Sequence, residues 1–206
     1  YLHGIVIRTF EHSDVCELAK EASVPVINAL TNDFHPCQLL ADMLTIKEYS
    51  GRVDNTIRLA FYGDGRSNMA NSLILAAKLT GMELVIAAPP EEAPNAGLIG
   101  DAANIIWEQD PQKAAEGVNY FYTDVWVSMG FEEERERRMK LFRPYQVTAE
   151  LFEHAANDAK FLHCLPAHRG EEVAAEVLDS PRSIVFDEAE NRLHVQKAVM
   201  TMLMGK

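Results

Sequence analysis

Short apolar runs alternate with helical stretches along the whole chain, and this rhythm limits the fold more than any other feature. Buried strands are predicted at residues 5–7, 25–30, 58–62, 84–88, 105–107, 120–123, 161–164 and 184–186. Helices are predicted at residues 14–21, 36–48, 69–79, 148–156, 171–178 and 189–204. This alternation predicts an α/β fold with a mostly parallel sheet and helices on both faces. Ligands of such sheets bind beyond the carboxyl ends of the strands, so residues that follow strands are candidate site residues.

Composition and cysteine spacing exclude several classes of protein. The 206 residues are 48% hydrophobic, which supplies a buried core, and carry a net charge of −12. This charge disfavours nucleic-acid binding, which needs clustered Lys and Arg. No apolar run reaches the roughly 18 residues of a membrane span, and no signal peptide is visible. Cys16, Cys37 and Cys164 lack disulfide or zinc spacing, which favours a cytoplasmic protein without bound metal.

The segment His35-Pro36-Cys37-Gln38 opens a predicted helix. Proline fits the first helical position, so His35 is the expected N-cap, and Gln38 faces the same helix end. An imidazole and a carboxamide therefore converge where free N–H groups favour negative charge. An ordinary histidine cap without a ligand explains the same residues.

The segment Gly63-Asp64-Gly65-Arg66-Ser67-Asn68 follows a strand and nearly matches the dinucleotide fingerprint GxGxxG. However, Asn68 stands at the third glycine position, and no acidic residue ends the next strand. These departures disfavour NAD binding and a dehydrogenase function. Two interpretations remain: a loop in which Asn68 binds a carboxylate, and a turn without a ligand.

Polar groups follow two later strands. Asp124, Ser128 and the backbone of Met129-Gly130 suit an ammonium and a carboxylate, although a lone Asp after a strand is more often a turn or cap residue. Neighbouring strand residues point to opposite faces, so His163 and Cys164 do not form a catalytic dyad, and a buried cysteine is the default. Residues 131–140 are dense in charge and predict a solvated helix face.

Taken in order, the HPCQ, SMG and HCLP segments resemble the ornithine carbamoyltransferase family over essentially the whole chain. The resemblance implies a two-domain architecture. Residues 1–49 would be the C-terminal part of the carbamoyl phosphate domain, and residues 50–188 a Rossmann-like ornithine domain. Residues 189–206 would be a helix that returns to the first domain. The family's Ser-Thr-Arg-Thr phosphate loop is not in the sequence and belongs before Tyr1, so the chain is expected to be N-terminally truncated.

The resemblance also assigns a group of residues to the carbamoyl group. Arg8 and His35 would polarise its carbonyl oxygen, and Gln38 would fix its amide nitrogen. Arg192 would add positive charge beside the oxyanion and the departing phosphate. Cys164 would line the place where the δ-amine meets the carbamoyl carbon. Lone arginines such as Arg8 and Arg192 are otherwise usually solvated surface groups.

A second group of residues is assigned to ornithine. Asn68 and the backbone near Met129 would take the α-carboxylate, whereas Asp124 and Ser128 would hold the α-ammonium. The Leu165 backbone would line the δ-amine.

The expected reaction transfers the carbamoyl group of carbamoyl phosphate to L-ornithine, giving L-citrulline and phosphate in arginine metabolism, without cofactor or metal. The family resemblance implies a homotrimer, and the fragment alone is expected to be inactive. Two alternatives are a sister transcarbamoylase for another amine and a non-catalytic binding or assembly module. Both a biosynthetic and a catabolic role stay open.

Overall fold

The computed structural model describes residues 1–127 and 132–205, in which the strands form two separate parallel sheets. The smaller sheet pairs β1 (Ile5–Arg8) with β2 (Val26–Leu30). The larger sheet contains β3 (Arg58–Tyr62), β4 (Glu83–Ala87), β5 (Ile105–Glu108), β6 (Tyr120–Thr123) and β7 (Lys160–His163). Its order is β5-β4-β3-β6-β7 and every pair is parallel, which confirms the predicted α/β class. The strand order reverses direction between β3 and β6, which is where such sheets bind ligands.

Eight α-helices connect and cover the strands of the described residues. They are α1 (His12–Glu21), α2 (Pro36–Ser50), α3 (Asn68–Thr80), α4 (Ala96–Ile99), α5 (Pro111–Ala114), α6 (Arg135–Phe142), α7 (Ala175–Leu178) and α8 (Val185–Met204). Short 3-10 helices lie at Pro90–Glu92, Glu132–Glu134, Arg143–Tyr145 and Ala149–Glu153. None of the described helices has the length and apolar character that crossing a bilayer requires.

The core has two parts, one on each face of the larger sheet. Leu59 and Phe61 of β3 belong to the part that packs under α3, whereas Ala60 and Tyr62 belong to the opposite part. Successive strand residues point to opposite faces, so both sets are buried only if both faces are covered. This explains why β3 reads as an unbroken apolar run.

The helix α2 begins at the predicted residue and ends at Ser50, two residues beyond the predicted bound. Pro36 occupies the first helical position after His35, and Gly51 ends the helix with a left-handed φ of 74°. Within α3, Ser67 is the N-cap, and its hydroxyl accepts a hydrogen bond from the Ala70 N–H at 3.1 Å. These caps satisfy backbone groups that a helix end leaves unpaired.

The prediction of a strand at residues 184–186 is wrong, because Ile184 is the N-cap of α8. The strand-like pairing stops one residue earlier, at an isolated bridge between Ser183 and Phe161. Asp187 and Glu188 lie in the first turn of α8, where negative charge stabilises a helix. An apolar run of three residues does not distinguish a strand from a buried first helical turn.

Two predicted helices are shorter than expected. The helix predicted at residues 148–156 is the 3-10 helix Ala149–Glu153, and the one predicted at residues 171–178 begins only at Ala175. The backbone before α7 instead pairs with Val147 through Val173. The division into residues 1–49, 50–188 and 189–206 stays a prediction. The helices α2 and α8 pack side by side.

Candidate functional site

His35 lies at the start of α2, where its side chain is 8% exposed. Its backbone N–H donates to the Ser72 hydroxyl at 2.8 Å, and its side chain makes no capping hydrogen bond. Burial, followed by the positive charges of Arg192 and Arg8, lowers the pKa of His35 to about 4, against a backbone hydrogen bond at Ala29. The imidazole is therefore neutral at neutral pH, and its buried Nδ1 has no hydrogen-bond partner within the described residues.

Gln38 joins α2 to α8. Its Oε1 accepts a hydrogen bond from Arg192 Nη1 at 2.5 Å, across 154 positions of sequence. Its Nε2 donates to Asp42 Oδ1 at 2.8 Å and to Glu188 Oε1 at 2.9 Å. The structure thus brings together His35, Gln38, Arg192 and the charge of Arg8, which is exposed at the end of β1. The family resemblance assigns these four residues to the carbamoyl group, and it assigns Cys164 to the same group as a fifth residue.

Cys164 lies beside the predicted ornithine site, because its thiol donates to Asp124 Oδ1 at 3.1 Å. The Val125 N–H donates to the same oxygen at 2.7 Å. Burial, Asp124 and the carboxyl groups of Glu188 and Asp42 raise the pKa of the Cys164 thiol well above its usual value. The thiol is therefore protonated at neutral pH. Glu188 raises the pKa of Cys164 and accepts a hydrogen bond from Gln38. The residues assigned to the carbamoyl group and those assigned to ornithine therefore lie in one region.

Leu165 follows Cys164 in a turn that His163 holds in place. Its N–H donates to His163 Nδ1 at 2.8 Å, and its φ of 55° is unusual for a residue with a side chain. His163 Nε2 lies 3.2 Å from Glu172 Oε1, and both side chains are buried. Sequence reasoning missed this histidine–glutamate pair, because nothing in the chain order connects the two residues.

Asn68 is half-buried at the first residue of α3, but its amide nitrogen is already bound. Its Nδ2 donates to the Thr31 carbonyl at 2.9 Å. Asn71 Nδ2 likewise donates to the Asp33 carbonyl at 3.1 Å. The start of α3 therefore holds the segment that precedes α2. The second hydrogen of the Asn68 NH2 group is left to donate to a substrate carboxylate.

Ser128 and Met129 lie outside the described residues, so the structure gives no position for these two predictions. Arg138 of α6, which follows these residues in the chain, donates hydrogen bonds to two groups. Its Nε donates to the Trp126 carbonyl at 2.5 Å, and its Nη2 donates to Asp64 Oδ2 at 2.6 Å. Arg138 is only 3% exposed, so the prediction of a fully solvated helix face is wrong at this residue. Spacing by four residues predicts that Glu134 pairs with Arg138, but Glu134 pairs with Arg137 at 2.7 Å.

The glycine loop after β3 packs against the protein itself. A Cβ on Gly65 would come within 2.7 Å of the Glu92 carbonyl oxygen and 2.9 Å of the Pro94 nitrogen. In a dinucleotide fold, the second glycine makes room for a pyrophosphate. Here the chain's own backbone requires that glycine. This packing supports the interpretation that the loop is not a dinucleotide site.

One group of side chains within the described residues has the composition of a metal site. Ligand atoms of His168, Glu171 and Glu172 lie within 4.8 Å of one another. However, Glu172 Oε1 already accepts the His168 N–H at 2.5 Å and faces His163. Its carboxylate therefore holds the turn after β7, which explains the cluster without an ion.

The sheet order, with polar groups gathered beyond β3, β6 and β7, defines a doubly wound α/β protein whose candidate site lies at the topological switch point, where such folds bind small molecules. Comparison with known sequences identifies its family. The family described as "Aspartate/ornithine carbamoyltransferase, Asp/Orn binding domain" matches residues 55–203. The companion family "carbamoyl-P binding domain" matches residues 1–48. The chain belongs to the aspartate/ornithine carbamoyltransferase family and is a carbamoyltransferase chain.

Individual relatives agree with this assignment. The chain is 54% identical to the ornithine carbamoyltransferase of Methanothermobacter thermautotrophicus, over 100% of this chain and 70% of that protein. It is 49% identical to that of Archaeoglobus fulgidus, over 100% of this chain and 68% of that protein. Among solved structures, the Pyrococcus furiosus ornithine carbamoyltransferase superposes with a TM-score of 0.93 at 46% identity, over 100% of this chain and 67% of that one.

Proposed function

We propose that the protein transfers the carbamoyl group of carbamoyl phosphate to the δ-amine of L-ornithine, giving L-citrulline and phosphate in arginine metabolism. One observation carries the proposal. The Gln38–Arg192 contact and the Cys164–Asp124 contact converge on the same buried region around Glu188. The names of the relatives support ornithine as the acceptor.

The charges of the site suit this chemistry. A free δ-amine has a pKa near that of Lys, about 10.4, so it must lose a proton before it attacks. The positive charges of Arg8 and Arg192 near the imidazole of His35 disfavour a further cation, such as a protonated δ-amine, at this place. Attack forms the C–N bond and places negative charge on the carbamoyl oxygen, which the two arginines stabilise. The C–O bond to phosphate then breaks, and a phosphate oxygen takes the amine proton.

On the amino-acid side, we assign Asp124 to the α-ammonium and the Cys164–Leu165 turn to the δ-amine. Asp124 Oδ1 lies 3.1 Å from the Cys164 thiol, so the two ends of one ornithine fall on neighbouring groups. Asn68, Ser128 and Met129 complete the proposal as the groups around the α-carboxylate. A carboxylate that accepts the second hydrogen of Asn68 Nδ2, beside the Thr31 carbonyl, would link substrate binding to the segment before α2.

The test measures citrulline and phosphate formed by the complete gene product, with whatever residues flank these 206. Ornithine, putrescine, N-acetylornithine and aspartate are offered in parallel with carbamoyl phosphate. We expect ornithine to give the highest kcat/KM by at least about 100-fold, since each rival lacks a group that the site binds. A higher rate with another amine, or no carbamoyl transfer at all, would overturn the proposal.

The 206-residue chain alone is expected to show little turnover, because the Ser-Thr-Arg-Thr phosphate loop is not part of it. Citrulline formation by this chain at the rate of the complete gene product would contradict that expectation.

A homotrimer and a cytoplasmic location belong to the same proposal. The free thiol of exposed Cys16 supports a reducing compartment. Light scattering of the complete gene product tests the trimer.

A further inference from the structure

Two carboxyl groups without a role in the proposed reaction lie directly against Gln38. Asp42 follows Gln38 by one turn of α2, Glu188 lies in the first turn of α8, and both side chains have no exposed surface. The Gln38 Nε2 donates to Asp42 at 2.8 Å and to Glu188 at 2.9 Å. A primary amide nitrogen carries two hydrogens, so the two carboxyl groups use both.

These contacts allow only one orientation of the Gln38 carboxamide. With Nε2 turned toward the carboxyl groups, Oε1 faces Arg192 and accepts from it at 2.5 Å. A flipped amide would place its nitrogen against the Arg192 guanidinium, which has no acceptor, and its oxygen against two carboxyl groups that accept from Gln38. Buried groups without a matching partner are costly, so the flipped state is unfavourable.

The orientation matters because the carbamoyl nitrogen is a hydrogen-bond donor. Only the oxygen of Gln38 accepts from it, and an amide oxygen has a second lone pair beside the one that Arg192 uses. We propose that Asp42 and Glu188 are positioning residues that hold the Gln38 carboxamide with its oxygen toward the carbamoyl group. This inference rests on the proposed function and adds two residues to its machinery.

The two carboxyl groups are not equivalent. Both oxygens of Glu188 accept hydrogen bonds, Oε1 from Gln38 and Tyr122 and Oε2 from the His163 N–H at 2.9 Å. Asp42 accepts the Gln38 N–H through Oδ1, whereas no N–H of the described residues reaches its buried Oδ2, and a side-chain hydrogen bond joins Asp42 to Glu188. Burial raises the pKa of Asp42 to about 7 and that of Glu188 well above its usual value, so the adjacent pair retains a proton near neutral pH.

This asymmetry predicts unequal losses for two isosteric substitutions. Asp42→Ala removes the oxygen that accepts from Gln38 and should lower kcat/KM for carbamoyl phosphate by about tenfold, whereas Asp42→Asn keeps that oxygen and should recover most of this loss. Glu188→Gln replaces an accepting oxygen with an NH2 group, which then faces a donor. We expect it to lower kcat/KM for carbamoyl phosphate by about tenfold while the KM for ornithine changes less than twofold.

A double-mutant cycle in the complete gene product separates positioning from general stability. Gln38→Ala removes the oriented group, so Glu188→Gln should reduce activity by less than about twofold further in that background. Thr45→Val is the matched control. Thr45 lies in the same α2–α8 interface, where its hydroxyl accepts a hydrogen bond from Asn191 Nδ2 at 3.0 Å and donates to the Ala41 carbonyl. It makes no hydrogen bond with Gln38 within the described residues. Thr45→Val should lower the free energy of unfolding but leave kcat/KM for carbamoyl phosphate unchanged.

Independent, multiplying losses from Glu188→Gln and Gln38→Ala would overturn the inference, and so would equal losses from Asp42→Asn and Glu188→Gln. If Gln38→Ala does not fold, the contrast between the two isosteric variants decides alone. The proposed function fails separately: the unmodified gene product would then form no citrulline in the same assay.

Discussion

Replacing Asp124 by asparagine isolates the charge that we assign to the ornithine α-ammonium. In the structure Asp124 Oδ1 accepts hydrogen bonds from the Val125 N–H at 2.7 Å and the Cys164 thiol at 3.1 Å. An asparagine oxygen accepts both bonds in the same geometry. Asp124→Asn therefore keeps the local structure and removes only the negative charge.

The size of the effect follows from the lost interaction. A hydrogen bond to a charged group contributes about 1.5–3 kcal/mol, which corresponds to an increase of about 10- to 150-fold in the KM for ornithine. The KM for carbamoyl phosphate should change less than about threefold, because Asp124 contacts none of Arg8, His35 and Gln38 in the proposed site. The charge of Asp124 also raises the pKa of Cys164, so the variant should lower that pKa and speed alkylation of the thiol.

Steady-state kinetics with each substrate varied in turn measures both constants. Asp110→Asn is the matched control, since Asp110 also follows a strand of the same sheet and caps α5 with an oxygen that asparagine retains. It should leave both KM values within about twofold. Equal losses for ornithine and carbamoyl phosphate in Asp124→Asn would refute the assignment, because the charge would then not distinguish the two substrates.

Two further predictions concern stability. Burial lowers the pKa of His35 to about 4, so His35 takes up a proton on unfolding when the pH is below its usual pKa of 6.5. Between pH 7.5 and pH 5 the free energy of unfolding should therefore fall by about 2 kcal/mol more in the protein than in the His35→Gln variant. Urea titrations in which both proteins show the same change with pH would contradict this. Arg138→Met breaks a buried ion pair and should cost about 3–5 kcal/mol, whereas Arg137→Met, at a side chain 56% exposed, should cost at most about 1 kcal/mol in the same titrations.

The sequence predicts the sheet well where strands are buried on both faces. The strands at Arg58–Tyr62 and Tyr120–Thr123 have the predicted bounds, because long apolar runs between turn residues have few other structures available. The prediction fails at residues 184–186, where three apolar residues begin α8 instead. That choice depends on the helix packing against α2, which is a long-range contact that local pattern does not contain.

For the site, too, local sequence pattern predicts some residues, whereas those that depend on long-range contacts are missed. The residues after the strands could be chosen from the sequence, because parallel strands bring their carboxyl ends to one edge. The buried groups that support them could not, since Glu188 is 150 positions from Gln38 and Arg138 is 74 positions from Asp64. Asp42 is the exception. Its position one helical turn after Gln38 places both on one face of α2, so the spacing alone predicts that they are neighbours.

The central claim is that the Gln38–Arg192 contact and the Cys164–Asp124 contact line one cleft for both substrates. A crystal structure of the complete gene product with carbamoyl phosphate and ornithine tests it most directly. We predict the α-ammonium at about 3 Å from Asp124, and the carbamoyl nitrogen at about 3 Å from Gln38 Oε1. Ornithine bound away from Asp124, or carbamoyl phosphate bound without contact to Gln38 and Arg192, would contradict it.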